Sequence, residues 1–244
     1  MHAAFQPLRP AVVADLISRG LADRRAALAV ALAAAAIAVV LGLATAGAGA
    51  ERLLEEGGPV ETATFYLYLA AVAVLAAVRL PSLPGLEKAA VSLLLVAFAA
   101  READLHVSLF GTSILKASFY HRHATPGQIV LALAILVPVA LSFVLLLRRH
   151  GPRWLSAPSR WPAPVVTVTT FLALMVISKS FDRLPAVLVE LRVIDAMPTA
   201  VRSVLLALEE VLELALPLLA MVAVMQGRQP RPLSPARTAA ESAR

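Results

Sequence analysis

The chain has no cysteine among its 244 residues. Disulfides, thiolate metal sites and cysteine nucleophiles are therefore excluded. Charge is also scarce: Asp, Glu, Lys and Arg make up 16 % of the residues, against about a quarter in soluble domains. No glycine-rich phosphate loop, nucleophile elbow or heptad array occurs. Nucleotide hydrolysis and serine-triad chemistry have no support without them.

Apolar residues fill the space left by these absences. They account for 59 % of the chain, and the mean hydropathy is +0.79. A disordered chain, a disulfide-stapled secreted module and an ordinary cytosolic enzyme are all excluded, which leaves a multi-pass membrane protein with little mass outside the bilayer. The net charge of +6 would point to nucleic acid in a soluble protein. Here the Lys and Arg residues sit in short loops and tails. They report topology and contact with anionic lipid, and no nucleic-acid partner is expected.

Six apolar segments are candidate spans: 26–50, 62–78, 89–110, 129–147, 164–181 and 203–225. The reading is an all-α polytopic bundle of six transmembrane helices. A segment 1–25 precedes it, with an amphipathic surface helix over 10–25 carried by Val12, Val13, Leu16, Ile17 and Leu21. A Pro- and Arg-rich tail, 226–244, follows and is expected to be disordered. Alternate loops and tails hold fourteen and eight Lys and Arg residues, and this excess predicts both termini in the cytoplasm. The acids divide the other way: only Asp15, Asp23, Glu87 and Glu241 fall inside, and the other twelve lie outside or in the outer part of a helix. The run Ala48-Gly49-Ala50 is like a signal-peptidase site, but the long apolar stretch before it fits an uncleaved anchor better.

Local signals refine this outline. Gly57-Gly58-Pro59 with Glu61 marks a helix start, with Glu61 at the positive end of the helix dipole. Glu51, Glu55 and Glu56 read as a solvated loop. Thr112 and Ser113 are expected to cap a short helix over 114–120. Residues 184–197 read as an amphipathic or re-entrant piece, closed by Pro198 in the first turn of the last helix. Pro138 and Pro217 are expected kinks, and Trp154 and Trp161 beside Arg153 and Arg160 an inner-interface anchor.

The third, fifth and sixth segments are too polar to be plain spans. Segment three has only 12 uninterrupted apolar residues, 89–100. They cover about 18 Å of the ~30 Å hydrocarbon core. To cross, it must carry Arg101, Glu102, Asp104 and His106 into the outer third. Segment six likewise carries Glu209, Glu210 and Glu213, and segment five Lys179, Asp182 and Arg183. Counted from the inner ends, Glu102 and Glu213 lie roughly 20 Å up and His106, Glu209 and Asp182 roughly 26 Å up. Glu102/His106 and Glu209/Glu213 are i, i+4 pairs, each expected on one helix face. The low-energy arrangement turns these faces inward around a shared polar chamber. Arg101, Lys179 and Arg183 supply counter-charge, yet six carboxylates exceed three cations. The surplus requires protons, a bound cation or a cationic substrate.

Glu102, His106, Glu209 and Glu213 are thus the candidate cation or proton ligands, with Arg101, Asp104, Asp182, Arg183 and Glu210 around them. The same four residues have the donor types of a Zn, Mn, Fe or Mg site. An ion-pair network that only fixes packing is the alternative. Lys116, Tyr120, His121, Arg122 and His123 form a second candidate group, either a mouth for a lipid phosphate or another anion, or an interfacial loop. Three functions stay open at this point. One is a transporter or accessory subunit that binds a cation or carries protons. Another is a metal-dependent hydrolase or transferase acting on a lipid-linked substrate at the outer leaflet. The last is a structural or assembly protein. The bilayer is the expected partner in each, with a lipid or a cation as ligand.

The run Arg101-Glu102-Ala103-Asp104-Leu105-His106, followed by Ser113-Ile114-Leu115-Lys116 and Phe119-Tyr120, resembles a pattern in uncharacterised bacterial multi-pass proteins. The resemblance covers 20 residues. It implies a bacterial inner-membrane location and brings no activity with it.

Overall fold

The computed structural model describes residues 20–46, 53–54 and 57–228. Most of the expected amphipathic N-terminal helix, the Ala48-Gly49-Ala50 run, Glu51, Glu55, Glu56 and nearly all of the tail lie outside the described residues. Within them the chain is all-helical, with no strand. The helices are α1 (Arg25–Thr45), α2 (Pro59–Ala77), α3 (Gly85–Glu102), the short α4 (Leu105–Phe110), α5 (Pro126–His150), α6 (Ala163–Glu190) and α7 (Thr199–Gly227). Four stretches are long and apolar enough to cross a membrane: Arg25–Thr45, Pro59–Ala77, Pro126–Leu155 and Ala163–Glu190. α3 and α7 carry more charge and coincide with the third and sixth apolar segments.

α7 is the axis of the bundle. α1, α2 and α6 pack around it, α3 lies against α2, and α5 stands at the edge against α3. The core follows from this: Ala207, Val211, Ala215 and Leu219 of α7 meet Ala34 and Ala38 of α1, Tyr68, Ala71 and Leu75 of α2, and Leu95 and Ala99 of α3. Small residues line α1's buried face, namely Ala27, Ala34, Ala38 and Gly42, so its backbone sits close to α7. A Cβ on Gly42 would stand 2.5 Å from Val204 Cα. Close approach of small residues is how helices gain dispersion contacts where lipid offers no hydrophobic drive. Tyr68 stacks on Phe98, with ring centroids 5.7 Å apart, and Phe98 meets Phe171 edge-on at 5.8 Å. These rings tie α2, α3 and α6 together.

Polar contacts gather several chain ends at one end of the bundle. Gln226 Nε2 donates to Leu21 O (3.0 Å) and Asp23 O (3.2 Å), while its Oε1 accepts from buried Thr167 (2.7 Å). Lys88 Nζ donates to Ala76 O and Val78 O, both at 3.0 Å, and so satisfies orphan carbonyls at the end of α2. Glu87 is buried on the first turn of α3 and is held by His150 (2.8 Å) and Arg149 (3.5 Å) from the last turn of α5. By hydropathy Glu87 falls just ahead of the third apolar segment. It is the tie between α5 and the rest of the bundle.

Several expected boundaries move. The third segment does not run as one helix to residue 110. It stops at Glu102, and Asp104 takes a left-handed φ of 45° before α4 begins. Aspartate visits that conformation more readily than most residues with a Cβ, and here its backbone carbonyl accepts from Val107 N and Ser108 N to start α4. The predicted amphipathic piece at 184–197 is divided: α6 continues through Pro185 to Glu190, and the remainder is irregular. Pro198 is the N-cap of α7, just outside the helix. In place of a capped helix over 114–120 there are turns and one π-helical turn, Phe119–His123. The start of α2 matches its signals: Gly57 is left-handed (φ 76°), and its N–H donates to Glu61 (2.5 Å).

Candidate functional site

α3, α6 and α7 each bring a charged residue of the polar segments to one place. Arg101 Nη1 lies 3.2 Å from Glu102 Oε1 and 3.9 Å from Glu213 Oε2. Lys179 Nζ reaches Glu213 Oε1 at 2.6 Å and Glu209 Oε1 at 3.1 Å. Ser178 Oγ donates to Glu213 Oε1 at 3.4 Å. The result is a continuous chain, Glu102–Arg101–Glu213–Lys179–Glu209, across three helices.

Both basic side chains are about one-third exposed, Arg101 at 38 %, while the carboxylates differ in depth. Glu102 is 8 % exposed and Glu213 6 %. The Glu209 side chain is 15 % exposed and that of Lys179 35 %, so Glu209 is the most exposed of the three ion-paired carboxylates. Glu209 and Glu213 are one turn apart on α7, as the i, i+4 spacing requires. Glu210 is half-buried and within electrostatic reach of Glu213, Glu209, Glu61 and Glu102. Buried Tyr68 is in the same reach of Glu102, Glu213 and Arg101. Three carboxylates (Glu102, Glu209, Glu213) thus share two basic side chains (Arg101, Lys179), and a fourth, Glu210, stands near them with only acidic neighbours in reach.

The expected ligand set is not assembled. Because α3 ends at Glu102 and the chain turns through Asp104, His106 does not sit one turn above Glu102 on the same face. The oxygens of Glu102, Glu209 and Glu213 face a guanidinium and an ammonium. Among the described residues, no group of three or more His, Asp and Glu side chains is placed to hold a metal ion. Glu102, His106, Glu209 and Glu213 therefore do not form a Zn, Mn, Fe or Mg centre in this conformation. Asp104 is exposed. Asp182 pairs at 3.8 Å with its exposed neighbour Arg183; it lies within electrostatic reach of Glu209 but makes no ion pair with Arg101 or Lys179.

The second candidate group is a structured loop. Tyr120 OH donates to Ile114 O (2.9 Å), and its ring meets Phe119 edge-on. Phe110, Ile114, Phe119 and Ala132 form a small core beneath it. Lys116, His121 and Arg122 project outward, exposed. His123 closes the π-helical turn. Tyr120 thus anchors the loop, and Lys116 and Arg122 are the exposed cations beside it.

Sequence reasoning missed Ser178, which carries no charge signal, and Tyr68, which reads as ordinary interface aromatic content. Lys179 was foreseen only as one of three counter-ions, yet it bridges two carboxylates. No protein-family model, no curated protein and no solved structure matches this chain.

Proposed function

We propose that the chain is a six-helix protein of the bacterial inner membrane with both termini in the cytoplasm. In this reading α3 and α7 also span, with their charges turned into the bundle. The buried network in the outer half binds a proton or a small cation, as the working part of a transporter or of an accessory subunit. The observation that carries this reading is the ratio of four carboxylates to two basic side chains at one level of the bundle. An unneutralised charge inside a membrane costs several kcal/mol, so the surplus calls for positive charge from outside the side chains. Lys179 links the more exposed Glu209 to the more deeply buried Glu213. A proton entering at Glu209 would reach Glu213 by rearrangement of one flexible ammonium.

A second reading is favoured by the pairing itself. Glu102, Glu209 and Glu213 each have a direct basic partner, which is what a helix-fixing ion network for assembly requires. The metal-dependent hydrolase or transferase has no comparable support, because the donor set does not converge.

Infrared difference spectra, with proton flux in proteoliposomes, test the proposal. The wild-type protein is expected to show a protonated-carboxyl band that is lost in Glu210→Gln, the carboxylate of the four without a basic partner, with flux at least tenfold above that of Glu213→Gln. A missing band, no bound sodium or potassium on elemental analysis, and equal flux would favour the packing role.

A further inference from the structure

A cleft of 310 Å³ lies between α3 and α5. Leu86, Ala89 and Leu93 form one wall, and Leu141, Ser142 and Leu145 the other. Seven residue steps from Leu86 to Leu93 make it about 10 Å long. It exists because small side chains on α3 face Ser142, so the two helices touch without filling the space between them. Leu86 and Leu141 are largely exposed at its rim, and the cleft is open to the side of the bundle.

Its end is cationic. Arg148 and Arg149 follow Leu145 by three and four residues and so continue the same face of α5. Arg149 confirms this by reaching Glu87 on α3 (3.5 Å). Its side chain is still 62 % exposed, and Arg148 is exposed with no salt bridge to a described residue. Two arginines and one buried acid leave excess positive charge where the apolar cleft meets the bundle end. An apolar slot ending in paired guanidiniums matches one molecule class: an acyl chain whose headgroup bears a phosphate.

We infer that the α3/α5 cleft is a binding site for an anionic phospholipid, with one acyl chain in the slot and its phosphate on Arg148 and Arg149. The inference does not depend on the Glu213 network. It adds a lipid site at the opposite end of α3 from that network. The tail beyond residue 228 is an unsuitable occupant, because its own arginines (Arg231, Arg237, Arg244) would meet like charge.

Native mass spectrometry of the full-length protein tests it, with dioleoylphosphatidylglycerol and dioleoylphosphatidylcholine added separately. Retention of the anionic lipid is expected to exceed that of the zwitterionic lipid about tenfold. Ala89→Phe, which fills the slot from an exposed position, should abolish the difference by removing retention of both. The double variant Arg148→Gln/Arg149→Gln lies on the surface, and should lower only the anionic lipid to the zwitterionic level. Equal retention of the two lipids by the wild type would overturn the inference. So would retention unchanged in both variants, or a lipid-free dimer that Ala89→Phe disperses, since a second copy would then fill the cleft.

Discussion

Gly42→Val is expected to separate α1 from α7 and lower the thermal midpoint of the purified protein more than any other change on α1. Even the Cβ of alanine would stand 2.5 Å from Val204 Cα and 3.0 Å from Ser203 O. Both contacts are with backbone, which cannot rotate aside. Overpacking of this kind costs about 1–3 kcal/mol. Alanine's helix propensity returns only about 1 kcal/mol relative to glycine, so Gly42→Ala still destabilises, and valine, with more volume, does so further. Gly127 on the first turn of α5 is the control: nothing lies within 4 Å of an added Cβ, and Gly127→Ala should be neutral or slightly stabilising. Equal midpoints for the Gly42 and Gly127 variants would remove the close α1/α7 approach from the account.

Lys179→Met has the second large effect. The methylene stem is kept and the charge removed, so Glu213 loses its 2.6 Å partner and Glu209 its 3.1 Å partner. Leaving buried carboxylates without compensation costs about 3–5 kcal/mol. The lower end applies, because Lys179 is about one-third exposed and polar groups in the unfolded membrane state find other partners. The double variant Lys179→Met/Glu213→Gln should regain more than half of the loss, since it removes the more deeply buried orphan and leaves Glu209 near the surface. Unfolding midpoints of the wild type, both single variants and the double variant give the coupling directly. A double variant less stable than Lys179→Met would mean that the ammonium and carboxylate are not energetically linked.

Apolar run length located the long helices, because any stretch of about 20 apolar residues can satisfy its backbone in lipid only as a helix. Depth counting then placed Glu102 with Glu213, since 1.5 Å per residue holds wherever the helix is unbroken. It failed at His106, where the helix was not unbroken. One left-handed residue, Asp104, redirects the chain, and nothing in hydropathy marks that position. The end of the apolar run at residue 181 fails in the opposite sense. α6 runs on past Lys179, Asp182 and Arg183, and through Pro185, to Glu190, because a helix needs no apolar residues where it leaves the packed bundle. The Glu87–His150 tie joins residues 63 apart in the chain, and no local pattern encodes such a pairing. Charge inventory could show that acids outnumber bases in the polar parts of the third, fifth and sixth segments, but not which lysine bridges which glutamates.

The most direct check uses the absence of native cysteine, which makes any introduced pair unambiguous. Glu213→Cys is combined in turn with Ser178→Cys, Glu102→Cys and Val176→Cys, and each protein is treated in membranes with a short bifunctional maleimide. The account predicts linked peptides for 178/213, whose side chains touch, and for 102/213, whose side chains both reach Arg101, and none for 176/213, since Val176 is 63 % exposed on the outer face of α6. Linkage at 176/213 with none at 178/213 or 102/213 would place the acids on a different face of the bundle and contradict the inward-facing network.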